Sequence, residues 1–311
     1  MNKLTTTKTT APASYNFSNE LFTSWINYID ATPKTIESYT KSVRQFFYYL
    51  QAKGIKQPTR ADVIAFKESV ASSHKTTTAS SYLMAVKQFF KWTAQEGIYP
   101  NIADNVKAVK LDKGHKKDYL TTAQVKKLFA TADGSSIKDL RDYAILALMV
   151  TTGLRTVEIV RANIEDLRTV ADFTALYIQG KGRTEKNDFV KITEQVEDAI
   201  RAYLTARGKA KENEPLFSSC SNRDNNERMT TRSISRIVKT HLVDAGLNSD
   251  RLTAHSLRHT TATLNLLNGG TVEETQQLLR HSNINTTMIY SHALERAKND
   301  SEQRITNAIF N

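Results

Sequence analysis

Among 311 residues there is a single cysteine, Cys220. An internal disulfide is therefore excluded, and so is any site built from clustered thiolates. No apolar run approaches the roughly 18 consecutive residues that a membrane-spanning helix needs. The opening segment, MNKLTTTKTTAPASYNF, carries a lysine but no apolar stretch behind it, which argues against a secretory signal. These absences lead to the expectation of a reducing, cytoplasmic location. Missing too are an HExxH helix and a paired acidic cluster of the kind that holds catalytic Mg²⁺. The segment Gly180-Lys181-Gly182-Arg183 does not have the GxxxxGK[ST] spacing of a nucleotide-binding loop.

Negative charge is also in short supply. The formal net charge is +11 and the sequence pI is about 9.5. The excess is uneven: residues 1–117 hold 17 Lys and Arg against 8 Asp and Glu, and the remainder holds 26 against 24. A basic first third beside a nearly neutral remainder fits a clamp for a polyanion joined to a domain that does chemistry. Hydrophobic residues at 40% and charged residues at 24% are those of a globular protein, and the length suits two domains.

Hydrophobic periodicity gives a mainly α-helical chain with a small β-hairpin or sheet. Residues 1–16, rich in Thr, Ala and Lys, read as a flexible arm. Residues 17–105 read as a four-helix domain, with helices near 17–30, 34–52, 60–71 and 77–96, broken at Pro33, at Gly54 with Pro58, and at Ser72-Ser73-His74. Two of these helices repeat one another. TIESYTKSVRQFFYYL from Thr35 and TASSYLMAVKQFFKWT from Thr78 align at a constant offset, placing Tyr39 on Tyr82, Val43 on Val86, and Phe46-Phe47 on Phe89-Phe90. The recurring Tyr, Val and Phe make an apolar stripe for packing. Lys41, Arg44, Lys87 and Lys91 lie off that stripe and are candidates for phosphate contacts, or else solvated surface charges.

Residues 106–118 are lysine-rich and read as a basic linker. A second domain, 119–311, then opens with Thr122 as a helix cap. Its helices are expected near 123–132, 138–152, 156–167, 194–206, 231–245, 256–268, 271–280 and 285–298, with Gly153 ending the second. ALYIQ (175–179) and DFVKI (188–192) read as a β-hairpin around Gly180-Lys181-Gly182.

Four stretches of this second domain carry the chemistry. They are TTGLRTVEI with Arg155 and Glu158, QGKGR with Lys181, AHSLRHT with His255 and Arg258, and LLRHSNINTTMIYSH with His281 and Tyr290. Taken singly, each has an ordinary reading: Arg155 as an ion-pair partner of Glu158, Lys181 as a turn lysine, His255 as a structural histidine, Tyr290 as a packed aromatic. Together they suit metal-free chemistry on a phosphodiester. Arginine forks hold the non-bridging oxygens of a phosphoryl transition state in fixed geometry. A tyrosine hydroxyl can attack phosphorus and store the bond as an ester, provided a base takes its proton and an acid serves the departing sugar oxygen.

In this order and at about these spacings, TGLRTVE, GKG, HSLR and LRHSNINTTMIYSH resemble the tyrosine recombinase (phage integrase) family, especially its compact Xer-type members. The resemblance extends over nearly the whole chain, since that family also carries a helical DNA-clamping domain at its N-terminus. It implies a site-specific DNA recombinase that cuts and rejoins strands through a 3′-phosphotyrosyl intermediate, in integration, excision or resolution, with no cofactor. It implies that Arg155 and Arg258 clamp the scissile phosphate, that Lys181 protonates the leaving 5′ oxygen, and that His255 assists proton transfer with the nucleophile. His281 would donate to a phosphate oxygen, Tyr290 would attack, and Glu158 would orient its catalytic neighbours. One position departs from the pattern: Arg280 stands where the family has glycine before the histidine. It is expected to contact DNA or to lie at the surface.

The implied partners are double-stranded DNA, further copies of the chain in a ring of four on two duplexes, and an accessory or directionality protein where one is needed; no membrane is involved. The apolar Ile305, Ile309 and Phe310 of the tail would dock on a neighbouring subunit or fold back on their own domain. Two other readings stay open at this stage, a type IB topoisomerase and a DNA-binding regulator that has lost catalysis.

Overall fold

The computed structural model describes residues 19–110, 118–180, 182–221 and 226–310. The expected arm at 1–16, most of the expected linker, and Lys181 lie outside the described residues. The chain forms two compact units, Met1–Gly114 and His115–Asn311.

Among its described residues the first unit has four helices, α1 (Asn19–Tyr28), α2 (Pro33–Ala52), α3 (Arg60–Ser73) and α4 (Thr76–Gln95). Thr32 caps α2 by accepting from the backbone N–H of Thr35, and Pro33 follows at the first helical position, where its missing N–H costs nothing. The two repeated segments are α2 and α4, and they pack on each other through their repeated aromatics. Phe46 meets Phe90 with centroids 5.8 Å apart, and Phe47 meets Phe89 at 5.3 Å, both edge-to-face. The first phenylalanine of each copy thus faces the second of the other. Val43 and Val86, also equivalent in the repeat, are fully buried, and Trp25 of α1 closes the cluster on Phe89.

The second unit is helical around one small sheet. Its elements are α5 (Thr122–Phe129), α6 (Ile137–Thr152), α7 (Thr156–Arg161), a 3₁₀ turn (Ile164–Asp166), β1 (Leu167–Val170), β2 (Phe173–Ile178), β3 (Asp188–Ile192), α8 (Glu194–Arg207), α9 (Thr231–Asp244), α10 (Ala254–Leu267), α11 (Val272–Leu279), α12 (Asn285–Lys298) and α13 (Ser301–Phe310). The sheet is antiparallel in the order β1-β2-β3, with Leu167 opposite Leu176 and Leu176 opposite Val190. From Tyr143 to Val150 helix α6 is apolar all round and forms the axis of the core, packed by α8 and α10. Two buried threonines of α10 are satisfied: Thr260 accepts from the N–H of Leu120, and Thr261 donates to the carbonyl of Val150.

One expected helix is corrected. The segment 156–167 does not run as a single helix: α7 ends at Arg161, and the chain turns extended at Ala162. The carboxylate of Asp166 accepts from the backbone N–H of Asn163 at 2.6 Å, which caps a 3₁₀ turn where a helix would have continued. The following LRTV then pairs with β2, so the sheet has three strands, not two. No helix among the described residues is long and apolar enough to cross a membrane.

Candidate active site

The site lies where the ends of α6, α10 and α11 meet. Helix α6 stops at Gly153, whose φ of 62° is left-handed and whose N–H donates to the carbonyl of Met149. A side chain there has no room, since an added Cβ would fall 2.5 Å from Cδ2 of Leu279. Two residues later Arg155 opens α7. Its backbone N–H donates to Oε2 of Glu158 at 2.7 Å, and its Nη1 donates to Oε1 at 2.9 Å. Glu158 thereby caps its own helix and fixes the arginine by both of its oxygens.

Arg258 rises from the buried face of α10 and is itself buried. Its Nη1 donates to the carbonyl of Gly153 at 2.5 Å, and its Nη2 donates to the carbonyl of Leu279. One guanidinium thus satisfies the last carbonyls of two helices and still has further N–H groups to offer. Burial lowers its pKa to about 9, and the nearby charges of Arg155 and Arg280 push the same way. It is still a cation at neutral pH. On α10, His255 and Arg258 are three apart and share a face.

His281 follows α11. Its Nδ1 contacts the hydroxyl of the fully buried Thr287 at 2.8 Å, which occupies that nitrogen and leaves Nε2 as the other. Burial, then the charges of Arg258, Arg155 and Arg280, hold its pKa at about 4, so the ring is neutral at physiological pH. Tyr290, on α12, is 6% exposed and packs in a small cluster with Ala262 and Leu279. Burial raises its pKa, while the charge of Arg258 pulls it down. The resting side chain is a phenol.

These groups surround one cavity of about 510 Å³, lined among others by Arg155, Glu158, His255, Arg258, His281 and Tyr290. A second hollow of about 630 Å³ shares Arg155, His255 and Arg258 and extends to Ser235 and Lys239. Lys181 lies outside the described residues, though Gly180 and Arg183 on either side of it line the first cavity. Three ionisable residues of the cavity were not foreseen. His259 sits between two expected ones, edge-on to His255 at 4.7 Å and to Tyr290 at 5.2 Å between ring centroids. Its signal was present in the sequence, directly after Arg258 and four residues from His255 on the same helix. Arg183 and Asp188 come from the loop between β2 and β3 and the start of β3.

Arg280 also lines the cavity and is not a surface residue, which corrects that part of the expectation. Its side chain is 11% exposed and pairs with Oε2 of Glu158 at 3.2 Å. The other basic candidates belong to the first unit. Lys41 is ion-paired with Glu37 at 2.6 Å, and Arg44 lies over the ring of Phe22. Lys91 is exposed and Lys87 partly so, both on α4.

Comparison with known proteins gives a consistent result. Residues 118–296 match the phage integrase family, and residues 20–99 match the phage integrase N-terminal SAM-like domain. The chain is 30% identical over 288 residues to "Tyrosine recombinase XerA" of Pyrococcus horikoshii, covering 90% of this chain and 93% of that one. It is 29% identical over 289 residues to "Tyrosine recombinase XerC" of Caldanaerobacter subterraneus, covering 84% and 78%. Among solved structures the same fold occurs in XerH recombinase bound to a palindromic difH substrate, with 21% identity, a TM-score of 0.70, and coverage of 93% and 83%. It occurs also in a lambda integrase dimer bound to a core site, with 18% identity, a TM-score of 0.68, and coverage of 85% and 95%. The relatives are recombinases, which leaves the topoisomerase and regulator readings without support. The chain belongs to the phage integrase family and is a tyrosine-type site-specific DNA recombinase.

Proposed function

We propose that Tyr290 is the nucleophile of this recombinase and that Arg155 and Arg258 hold the scissile phosphate between them. The observation that carries this is the single cavity lined by both guanidinium groups, His281 and the Tyr290 ring. In the forward step the Tyr290 hydroxyl oxygen bonds to phosphorus, and the bond from phosphorus to the 5′ oxygen breaks. The phenolic proton passes to a base, a role assigned to His255, and Lys181 donates a proton to the departing 5′ oxygen. Attack by a 5′ hydroxyl of a partner duplex reverses these moves and frees Tyr290. One ester is exchanged for another throughout, so the bond energy is kept.

Each remaining assignment follows from charge and reach. A neutral His281 whose Nδ1 is held by Thr287 can offer Nε2–H to a non-bridging oxygen. Glu158 orients Arg155. Lys41, Arg44, Lys87 and Lys91 are assigned to the DNA backbone as part of a clamping domain at 17–105, with the catalytic domain at 119–311. The chain is proposed to act in the cytoplasm as four copies on two duplexes. Lambda integrase has been solved as a tetramer on a Holliday junction, and helix α13 leaves Ile305, Ile309 and Phe310 largely exposed for a neighbour to cover. Any accessory protein would act on that assembly.

The test is a nicked suicide duplex carrying the site that this protein selects from a random duplex library. Wild type is expected to yield a covalent protein–DNA adduct in denaturing gels, and Tyr290→Phe none. Equal adduct from both would remove Tyr290 as the nucleophile.

A further inference from the structure

Glu158 is buried to within 1% exposure, and it is held by two arginines, not one. Oε1 accepts from Nη1 of Arg155; Oε2 accepts from the Arg155 backbone and, at 3.2 Å, from Nη2 of Arg280. The second arginine is an unusual one. It stands at the C-cap of α11 with φ 54° and ψ 47°, a left-handed conformation that suits glycine and strains a side chain with a Cβ. Its Nη1 donates to the carbonyl of Leu278, and its Nε is buried with no hydrogen-bond partner. A strained backbone and an unsatisfied buried donor are both costs. They persist here to bring one positive charge against one carboxylate.

The charge count explains what that accomplishes. A phosphodiester bears one negative charge, and attack by a phenolate produces a phosphorane bearing two. The three guanidinium groups of Arg155, Arg258 and Arg280 less the carboxylate of Glu158 leave a surplus of two positive charges, with His281 neutral and with Arg183 and Asp188, 4.0 Å apart, offsetting each other. Without Arg280 the surplus is one, and Glu158 has only Arg155 to neutralise it. The carboxylate and the phosphate then compete for the same guanidinium. Arg280 spends one N–H of each Nη, on the Leu278 carbonyl and on Glu158, and its Nε is closed off from solvent, so its charge is set against Glu158.

We propose that Arg280 is a positioning residue: it shares the neutralisation of Glu158, so that the charge of Arg155 is left for the anion in the cavity while Glu158 still orients the side chain. This rests on the reading of Arg155 and Arg258 as the phosphate clamp.

The probe is orthovanadate, titrated into the full chain at neutral pH and followed by calorimetry, scoring only the binding that Arg155→Gln abolishes. Arg280→Gly is expected to weaken that binding roughly tenfold, and Arg280→Lys to recover most of the loss by restoring the charge. In a Glu158→Gln background the same Arg280→Gly change is expected to do little, because no carboxylate remains to compete. Glycine suits the backbone conformation, and thermal melting of each variant confirms folding; should Arg280→Gly not fold, Arg280→Gln carries the comparison. Wild-type affinity in Arg280→Gly, an equal loss in both backgrounds, or no site-specific vanadate binding in wild type would each overturn the proposal. The suicide-duplex assay runs alongside. A normal vanadate pattern without a Tyr290-dependent adduct would sink the assignment of Tyr290 and leave that of Arg280 standing.

Discussion

The imidazole Nδ1 of His281 and the hydroxyl oxygen of Thr287 lie 2.8 Å apart, joining the end of α11 to the first turns of α12. When the hydroxyl donates, the ring is fixed in the tautomer whose Nε2 carries hydrogen. Thr287→Val keeps the shape and removes the donor. It is expected to slow adduct formation about tenfold through loss of a fixed tautomer, and to lower stability by about 1 kcal/mol. Single-turnover cleavage and urea denaturation measure the two effects. An unchanged cleavage rate would mean that the tautomer is set elsewhere.

Acid should act on the same histidine. Its pKa is about 4 in the folded chain against an ordinary 6.5, so between these values the unfolded chain binds more protons than the folded one. The stability tied to the neutral ring is therefore complete above pH 6.5 and is lost as pH falls through 4. Urea midpoints of wild type and His281→Gln, taken down that window, should shift in favour of the variant as pH drops. Parallel curves would show that His281 does not set the acid limit.

Gly153 serves conformation and clearance together, by its left-handed φ and by its closeness to Leu279. Gly153→Ala is expected to cost about 3 kcal/mol, combining left-handed strain with overpacking. Because the Gly153 carbonyl also accepts from Arg258, adduct formation should fall with it. Denaturation and cleavage on the same preparations would test the pair, and a fully stable variant would contradict the crowding at Leu279.

The basic side chains of α4 give a salt-dependence test. If Lys87 and Lys91 each meet a phosphate, changing either to Gln should reduce the slope of log affinity against log salt by about 1, alike on specific and random DNA. A slope equal to wild type would place them off the DNA. Lys41 should matter less, because Glu37 already neutralises it, and holds its own pKa near 2 with the help of Lys34 and Lys41.

Much of the site was legible in the chain because the candidate residues that line the cavity sit in short, ordered stretches whose neighbours also carry the pattern. TGLRTVE contains both Arg155 and the carboxylate that fixes it, and HSLR places His255 and Arg258 on one helical face. The repeat in α2 and α4 likewise announced its own packing through Phe46-Phe47 and Phe89-Phe90. Strand β1 was not legible. The segment from Thr156 to Val170 has a helix-compatible spacing, and what breaks it is the Asp166 cap and pairing with β2, a tertiary partner that local periodicity does not record. The burial of Arg280 was hidden for a similar reason: an isolated arginine after a helix reads as surface until Glu158 is seen beneath it.

The guanidinium of Arg258 has a consequence for how such enzymes can be lost. It ties off the ends of α6 and α11 while lining the cavity, so foundation and the proposed phosphate clamp share one side chain. Mutational drift there would ruin the scaffold along with the proposed clamp. Tyr290, by contrast, contributes a ring to a minor cluster, and phenylalanine would keep that ring in place. Inactive descendants that survive as folded, DNA-gripping proteins should therefore have changed the tyrosine and kept the arginine.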